Sequence, residues 1–505
     1  MRTAVLPSRR AGLTVCFPIA FVVALAACRA PRPAVRPAAP PSRAVVQLRR
    51  DINAVLAAPA LASSFWGVVV KSLKTDETIY SVNHNKLLMP ASNMKIVTLA
   101  AAADRLGWDY TYETRVVGLG SIEGGTLTGD LLVVGSGDPS LDDWDGAATR
   151  LFATWADQLK AMGVTSVTGQ IIGDDNAFDD DGLGFGWEWT DLGAAFAART
   201  SALQFNEGSA QVIVVPGRAV GDPAAMTINP TTSSLVIRNL VRTSDSATSM
   251  AIERRRLPGR EGIELRGSVP LGGTPVVQTV AVDNPTLSFV AALRAALVAN
   301  GIQIGGPAVD IDDLPAAPAP NGAAPLITYR SPPLSELAAT LMKLSQNQFA
   351  EALFRTLGSS EGRATADGGR TAARAILQGW GIAPAALTQV DGSGLSRYNY
   401  VTPESLVAIL VHINRDERLR AGFEAALAVA GSDEALARFK GTAGDGKILA
   451  KNGSMTSVRA LSGYVTTGDG EALAFSILAN NFEGPASTII SAMDAIVIKL
   501  AAFTR

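Results

Sequence analysis

The chain has 505 residues, 47% of them hydrophobic, and sets Lys+Arg 44 against Asp+Glu 46 for a formal charge of −2. That length and apolar share supply core for about three domains, and a near-neutral balance without a long basic run argues against a nucleic-acid partner. With Cys 2 and His 2, neither a disulfide framework nor a histidine-rich metal site is expected, and His84 and His412, which sit in no motif, read as surface or packing residues; no cofactor and no metal are called for.

Arg2, Arg9 and Arg10 precede an uncharged apolar run from Ala11 to Ala27, the layout of a secretory signal over residues 1–27 and short for a membrane span. Leu25-Ala26-Ala27-Cys28 resembles a bacterial lipobox, so Cys28 is the expected lipidation site. Residues 28–44, with Pro and Ala concentrated between Pro31 and Ser42, would then tether the protein to the outer or inner membrane of a bacterial envelope, on the periplasmic side. A soluble periplasmic protein cleaved after Ala27 is the alternative. Ser8-Arg9-Arg10 also fits twin-arginine export. Cys16 leaves with the signal.

Phe65 to Ser72 and Thr78 to Ser81 read as a hairpin turning at Lys74-Thr75-Asp76. Pro90 then precedes an apolar helical stretch, Met94 to Leu106, that Gly107 ends and whose first turn carries Ser92. From about Thr114 to Val309 the chain is rich in short β-like runs separated by Gly, Pro and Asp turns: Leu131 to Val134, Val167 to Ile172, Val212 to Val215 and Leu235 to Ile237. Asp179-Asp180-Asp181 lacks the ligand spacing of a calcium loop and reads as a solvated turn. A helix from Leu287 to Ala299 and a Pro/Ala linker from Leu314 to Pro325 lead to helices at Leu334 to Leu344 and Phe349 to Leu357, with Ser345-Gln346-Asn347 at their join. After a helix at Thr371 to Leu377, Ile448 to Ala450 and Val458 to Leu461 alternate as strands. Tyr464 to Thr467 and Leu473 to Asn480 form a hairpin across Gly468-Asp469-Gly470, and Pro485 to Ala501 closes the chain as a helix.

Three short motifs carry the chemistry: Ser92-Asn93-Met94-Lys95, Ser345-Gln346-Asn347 and Lys451-Asn452-Gly453. Singly, each has an ordinary reading. Ser-x-x-Lys turns up about once by chance in a chain of this size, Ser92 and Ser345 suit helix caps, and a strand lysine is usually a solvated charge. In this order they match what serine acyl-enzymes acting on D-alanyl peptides or β-lactams require. Residues i and i+3 share a helix face, so Ser92 and Lys95 can touch. For Lys95 to act as a base at neutral pH its pKa must fall by roughly 3 units, about 4 kcal/mol; burial and a second cation, for which Lys451 is the candidate, supply such shifts.

On these motifs the chain resembles the low-molecular-weight class C penicillin-binding proteins, the D-alanyl-D-alanine carboxypeptidase/endopeptidase family. Ser331-Pro332-Pro333-Leu334-Ser335, Asp391-Gly392-Ser393-Gly394-Leu395-Ser396-Arg397, Gly135-Ser136-Gly137-Asp138-Pro139-Ser140-Leu141 and Gly186-Trp187-Glu188-Trp189 extend the resemblance from about Phe65 to the C-terminus. It implies an α/β fold: a penicillin-binding/β-lactamase-like serine transferase domain, an antiparallel sheet flanked by helices, at residues 45–117 and 326–505. A mostly-β insertion of two subdomains at residues 118–325 would split it.

The resemblance also implies roles. Ser92 is the acylated nucleophile and Lys95 the general base; Ser345 and Asn347 form the second motif, and Lys451 faces the substrate's terminal carboxylate. Backbone N–H groups of Ser92 and Ser454 form the oxyanion hole. Arg397, Asp174 and Phe178 line a pocket for the free end of a diaminopimelate side chain. Asn452, beside Gly453, departs from the Thr or Ser usual there, which bears on carboxylate recognition. The expected partners are peptidoglycan stem peptides, with β-lactams as covalent inhibitors. The alternatives are a non-catalytic peptidoglycan-binding lipoprotein and a β-lactamase; for the latter no Glu-x-x-Leu-Asn segment is present.

Overall fold

The computed structural model describes residues 41–505 apart from 234, 258–261, 319–321 and 360–362. The signal segment, Cys28 and most of the tether lie outside the described residues. Residues 43 and 44 of the segment expected to be a tether belong to a helix, Arg43–Leu56, which Ser42 caps by accepting from the Val45 N–H.

A six-stranded antiparallel sheet runs in the order Ala428–Val429, Ile448–Met455, Val458–Thr466, Ala472–Asn480, Phe65–Ser72, Thr78–Val82. Side chains alternate across it as a strand period of two demands. Val68, Val70, Phe475 and Ile477 point to one core, closed by the helices Arg43–Leu56 and Ala486–Ala502. Val69, Ala474 and Leu478 point to the other, which holds Met94–Leu106 together with Leu334–Lys343, Asn347–Leu357 and Pro403–Arg415. The helix Met94–Leu106 is buried at every position from Met94 to Ala103, which explains a sequence apolar on all sides. Gly107 ends it with φ 80, a left-handed conformation that glycine adopts without strain.

Between Leu106 and Leu334 the chain builds other layers. A seven-stranded sheet contains Glu113–Glu123, Thr126–Val134, Ile171–Asp174 and Ile327–Arg330, and its core takes in the helices Ala147–Ala161 and Pro285–Ala299. Two three-stranded sheets, built on Ser209–Val215 and Ile263–Pro270, share a separate small core. The sheet that Glu113 and Arg330 pair to close lies slightly outside the 118–325 limits read from the sequence. Its helix Ala147–Ala161 escaped a reading fixed on β-runs, although Ala148, Phe152, Trp155 and Leu159 mark a helical stripe. No helix among the described residues is long and apolar enough to cross a membrane.

Candidate active site

Ser92 lies in a tight turn, Ala91–Asn93, that feeds the helix Met94–Leu106. Ala91 is fully buried with φ 46, and Gly394 crosses against its carbonyl so closely that an added Cβ would stand 1.9 Å from the oxygen. One turn after Ser92, the Lys95 amine has three acceptors: Ser92 Oγ at 3.0 Å, Asn347 Oδ1 at 2.7 Å and the Ser393 carbonyl at 2.9 Å. Lys95 is completely buried, and burial lowers its pKa from 10.5 to about 7, opposed by the negative charges of Asp391 and Glu351. The shift is therefore a desolvation effect. The role given above to Lys451 as a cation depressing Lys95 is not what carries it; Lys451 is itself held well below its usual value, first by burial and then by Lys95.

Ser345 occupies the turn between the helices Leu334–Lys343 and Asn347–Leu357 with φ 62, a left-handed conformation. That turn brings Asn347 to its helix start, where the amide is held at both ends: Oδ1 accepts from Lys95, and Nδ2 donates to the Phe196 carbonyl at 2.7 Å. Lys451 sits on Ile448–Met455, which Ala428–Val429 covers only at Leu449 and Ala450, so Lys451 to Met455 lies on an open edge beside the Ser92 turn. Unlike an ordinary edge lysine it is 1% exposed. Its amine donates to the Asn452 carbonyl at 2.8 Å and to Asn452 Oδ1 at 3.0 Å. The Asn93 amide, oriented to suit its neighbours, ties the turn to the strand by donating to the Lys451 carbonyl at 2.8 Å. Gly453 makes the approach possible, since a Cβ there would stand 2.8 Å from the Pro90 oxygen and 3.1 Å from the Ser92 nitrogen.

These groups open onto one cleft of about 360 Å³, whose walls include Ser92, Ser345, Asn347, Asn452 and Ser454. Arg397, Glu188, Asp191, Phe196, Met455 and Thr456 also line it. Arg397 is ion-paired to Glu188 and donates to the Thr456 carbonyl.

The three residues read as a side-chain pocket do not meet. Arg397 lines the cleft, whereas Phe178 is 2% exposed and packs with Ala202, Ala352 and Ala364, its ring filling the space beside Gly137. Asp174 ends the strand Ile171–Asp174 and accepts from the Asn176 N–H; it too is absent from the cleft wall. The apolar bulk of Phe178 was met by core.

The cleft residues missed, Glu188, Asp191 and Phe196, follow the Gly186-Trp187-Glu188-Trp189 motif or lie within it. Trp187 Nε1 donates to Asp391, whose carboxylate also receives the N–H groups of Gly394 and Ser396 and the Asn399 amide. A motif with no evident chemistry thus fixes the loop that places Arg397. In Asp179-Asp180-Asp181, Asp180 and Asp181 are exposed in an irregular turn, as read from the sequence, whereas Asp179 lies 3.6 Å from buried Arg355, which also donates to the Asp181 carbonyl and pairs with Glu351 beneath Ser393.

The sequence pattern of the D-Ala-D-Ala carboxypeptidase 3 (S13) family matches residues 48–500. A D-alanyl-D-alanine carboxypeptidase from Actinomadura sp. (strain R39) is 34% identical over 474 residues, 91% of this chain and 85% of that protein. One from Haemophilus influenzae is 26% identical over 422 residues, 82% and 85% of the two chains. The crystal structure of penicillin binding protein 4 from Haemophilus influenzae has the same fold, with a TM-score of 0.78 at 24% identity over 91% of this chain and 99% of that one.

Proposed function

The chain belongs to the D-Ala-D-Ala carboxypeptidase 3 (S13) family and is a serine hydrolase of that type, and we propose that Ser92 is the residue acylated when it cleaves D-alanyl peptide bonds of peptidoglycan. The observation that carries this assignment is the fully buried Lys95 amine at 3.0 Å from Ser92 Oγ. A neutral amine has two N–H donors and one lone pair. Asn347 Oδ1 and the Ser393 carbonyl take the donors, which leaves the lone pair for the Ser92 proton.

Ser92 Oγ then adds to the D-alanyl carbonyl carbon while Lys95 accepts its proton. The backbone N–H groups of Ser92 and Ser454 face the developing oxyanion. Collapse breaks the C–N bond, and the proton returns through Lys95 and Ser345 to the departing amine. Water, giving its proton to the Lys95 amine, then adds to the ester carbonyl, and collapse of that adduct breaks the C–O bond and returns the proton from Lys95 to Ser92 Oγ. Penicillin opens its β-lactam amide by the first half of this route.

Lys451, desolvated and bonded only to Asn452 among the described residues, suits the carboxylate of the terminal D-alanine, with Asn452 and Gly453 completing that wall. Arg397 beside Glu188 and Asp191 offers both charges to a side chain ending in an ammonium and a carboxylate, as diaminopimelate does. Fluorescent penicillin should label the chain covalently and Ser92→Ala should abolish the label; full labelling of that variant would reject Ser92 as nucleophile. Digestion of cross-linked and uncross-linked muropeptides assigns endopeptidase or carboxypeptidase action.

The catalytic domain in this reading is residues 45–117 with 326–505, interrupted by residues 118–325. Residues 1–27 serve as an export signal and Cys28 as a lipid anchor to the bacterial envelope. Incorporation of labelled palmitate that survives Cys28→Ser would overturn the anchor.

A further inference from the structure

Behind the segment that holds Asn347 lies a second cavity of about 200 Å³, walled by Asp175, Asp310, Asp312, Thr200, Ser201 and Thr286. One carboxylate oxygen from each of the three aspartates lies within 4.8 Å of the others. That is the span two oxygens can reach across a calcium ion, whose ligands stand about 2.4 Å away. Proximity alone does not make a site, and charge accounting adds to it. Asp179, Asp180 and Asp283, also in the wall, are neutralised by Arg355, Arg363 and Arg256. No lysine or arginine among the described residues makes an ion pair with Asp175, Asp310 or Asp312.

The second observation is a set of unused oxygens. Thr200 is 4% exposed and its hydroxyl meets no partner among the described residues. Asp175 Oδ2 accepts from Ser201 at 2.9 Å and Thr286 at 2.6 Å, while its buried Oδ1 meets none among the described residues. A hydroxyl and a carboxylate oxygen buried without partners are destabilising, and both residues line the same cavity. All the donors are oxygen, and carboxylate with hydroxyl is the donor set of a hard divalent cation.

We infer that Asp175, Asp310, Asp312 and Thr200 hold a calcium ion, completed by water, which braces residues 195–201 against the helix carrying Asn347. The bracing follows from connectivity. Thr200 and Ser201 lie only two to five residues past Phe196 and Ala198, whose carbonyls accept from Asn347 Nδ2 at 2.7 Å and Gln348 Nε2 at 2.5 Å. Fixing the first pair fixes the platform under the second.

Calorimetric titration of CaCl2 into the purified full-length chain, stripped with a chelator, should show one ion per chain and a Tm that rises with calcium. Asp312→Asn, at an exposed carboxylate that no fold contact depends on, should weaken the affinity at least tenfold, and Asp175→Asn should do the same. Ser92→Ala should bind calcium like the parent, which separates this site from the catalytic assignment. Equal Tm in calcium and chelator, or full affinity in Asp312→Asn, would overturn the site; tighter binding of MgCl2 would overturn its assignment to calcium.

Discussion

Lowering the pH should switch off acylation at the point where Lys95 gains its proton. With an unperturbed pKa of 10.5, about one lysine in 3,000 would be neutral at pH 7; at about 7, half are. Burial therefore raises the competent fraction about 1,500-fold, roughly 4 kcal/mol of reactivity. Because the neutral amine is the active form, the second-order rate constant for acylation by a chromogenic cephalosporin should be level above pH 8 and fall tenfold per unit well below 7. The drop between pH 9 and pH 5 is then about 100-fold, with near-ultraviolet circular dichroism reporting that the fold persists. Asp391 and Glu351 oppose the depression, but burial raises Glu351 itself to about 7, so Glu351→Gln, which keeps an oxygen for the Ser393 N–H, should move the acid limb only slightly, and to lower pH. A rate constant flat from pH 9 to pH 5, or a limb that moves upward in Glu351→Gln, would refute the role given to Lys95.

Two substitutions examine the opposite wall. Gly453→Ala would drive a methyl to 2.8 Å from the Pro90 oxygen and 3.1 Å from the Ser92 nitrogen, so acylation should fall by about 100-fold with little change in Tm, as expected when reacting groups are displaced by about 1 Å; near-normal acylation would show that the strand and turn separate freely. Asn452→Thr removes the amide oxygen that engages Lys451 at 3.0 Å and restores a short hydroxyl. The kcat/KM for a D-Ala-D-Ala peptide should rise by more than acylation by penicillin does, and equal changes would dismiss Asn452 as a determinant of carboxylate recognition.

What the sequence disclosed depended on whether a residue's signal was local. The hairpin at Lys74-Thr75-Asp76, the helix ended by Gly107 and the turn at Ser345 are written in neighbouring residues, and the structure has all three. The convergence of Ser92, Lys95 and Asn347 needed only the order of three motifs. Arg397 was named from its motif, but its grouping with Glu188 and Asp191 was not legible in this way, because the two acids come from another segment with no spacing to relate them to it. Phe178 misled for the same reason: an aromatic side chain looks alike whether it faces a ligand or fills the gap beside Gly137.

Burial explains both the chemistry and the architecture that encloses it. A lysine inside a protein loses its charge unless it is compensated, and Lys95 is given three polar contacts and two distant carboxylates, enough to keep it near neutrality but not to restore its ordinary basicity. One of those contacts, Asn347, is itself anchored by the Phe196 carbonyl, from the long segment between Leu106 and Leu334. In the proposed mechanism that segment supports the base: cutting it out should free the Asn347 amide to rotate, open the Lys95 amine to water and return its pKa toward that of an ordinary surface lysine, moving the acid limb of acylation to higher pH.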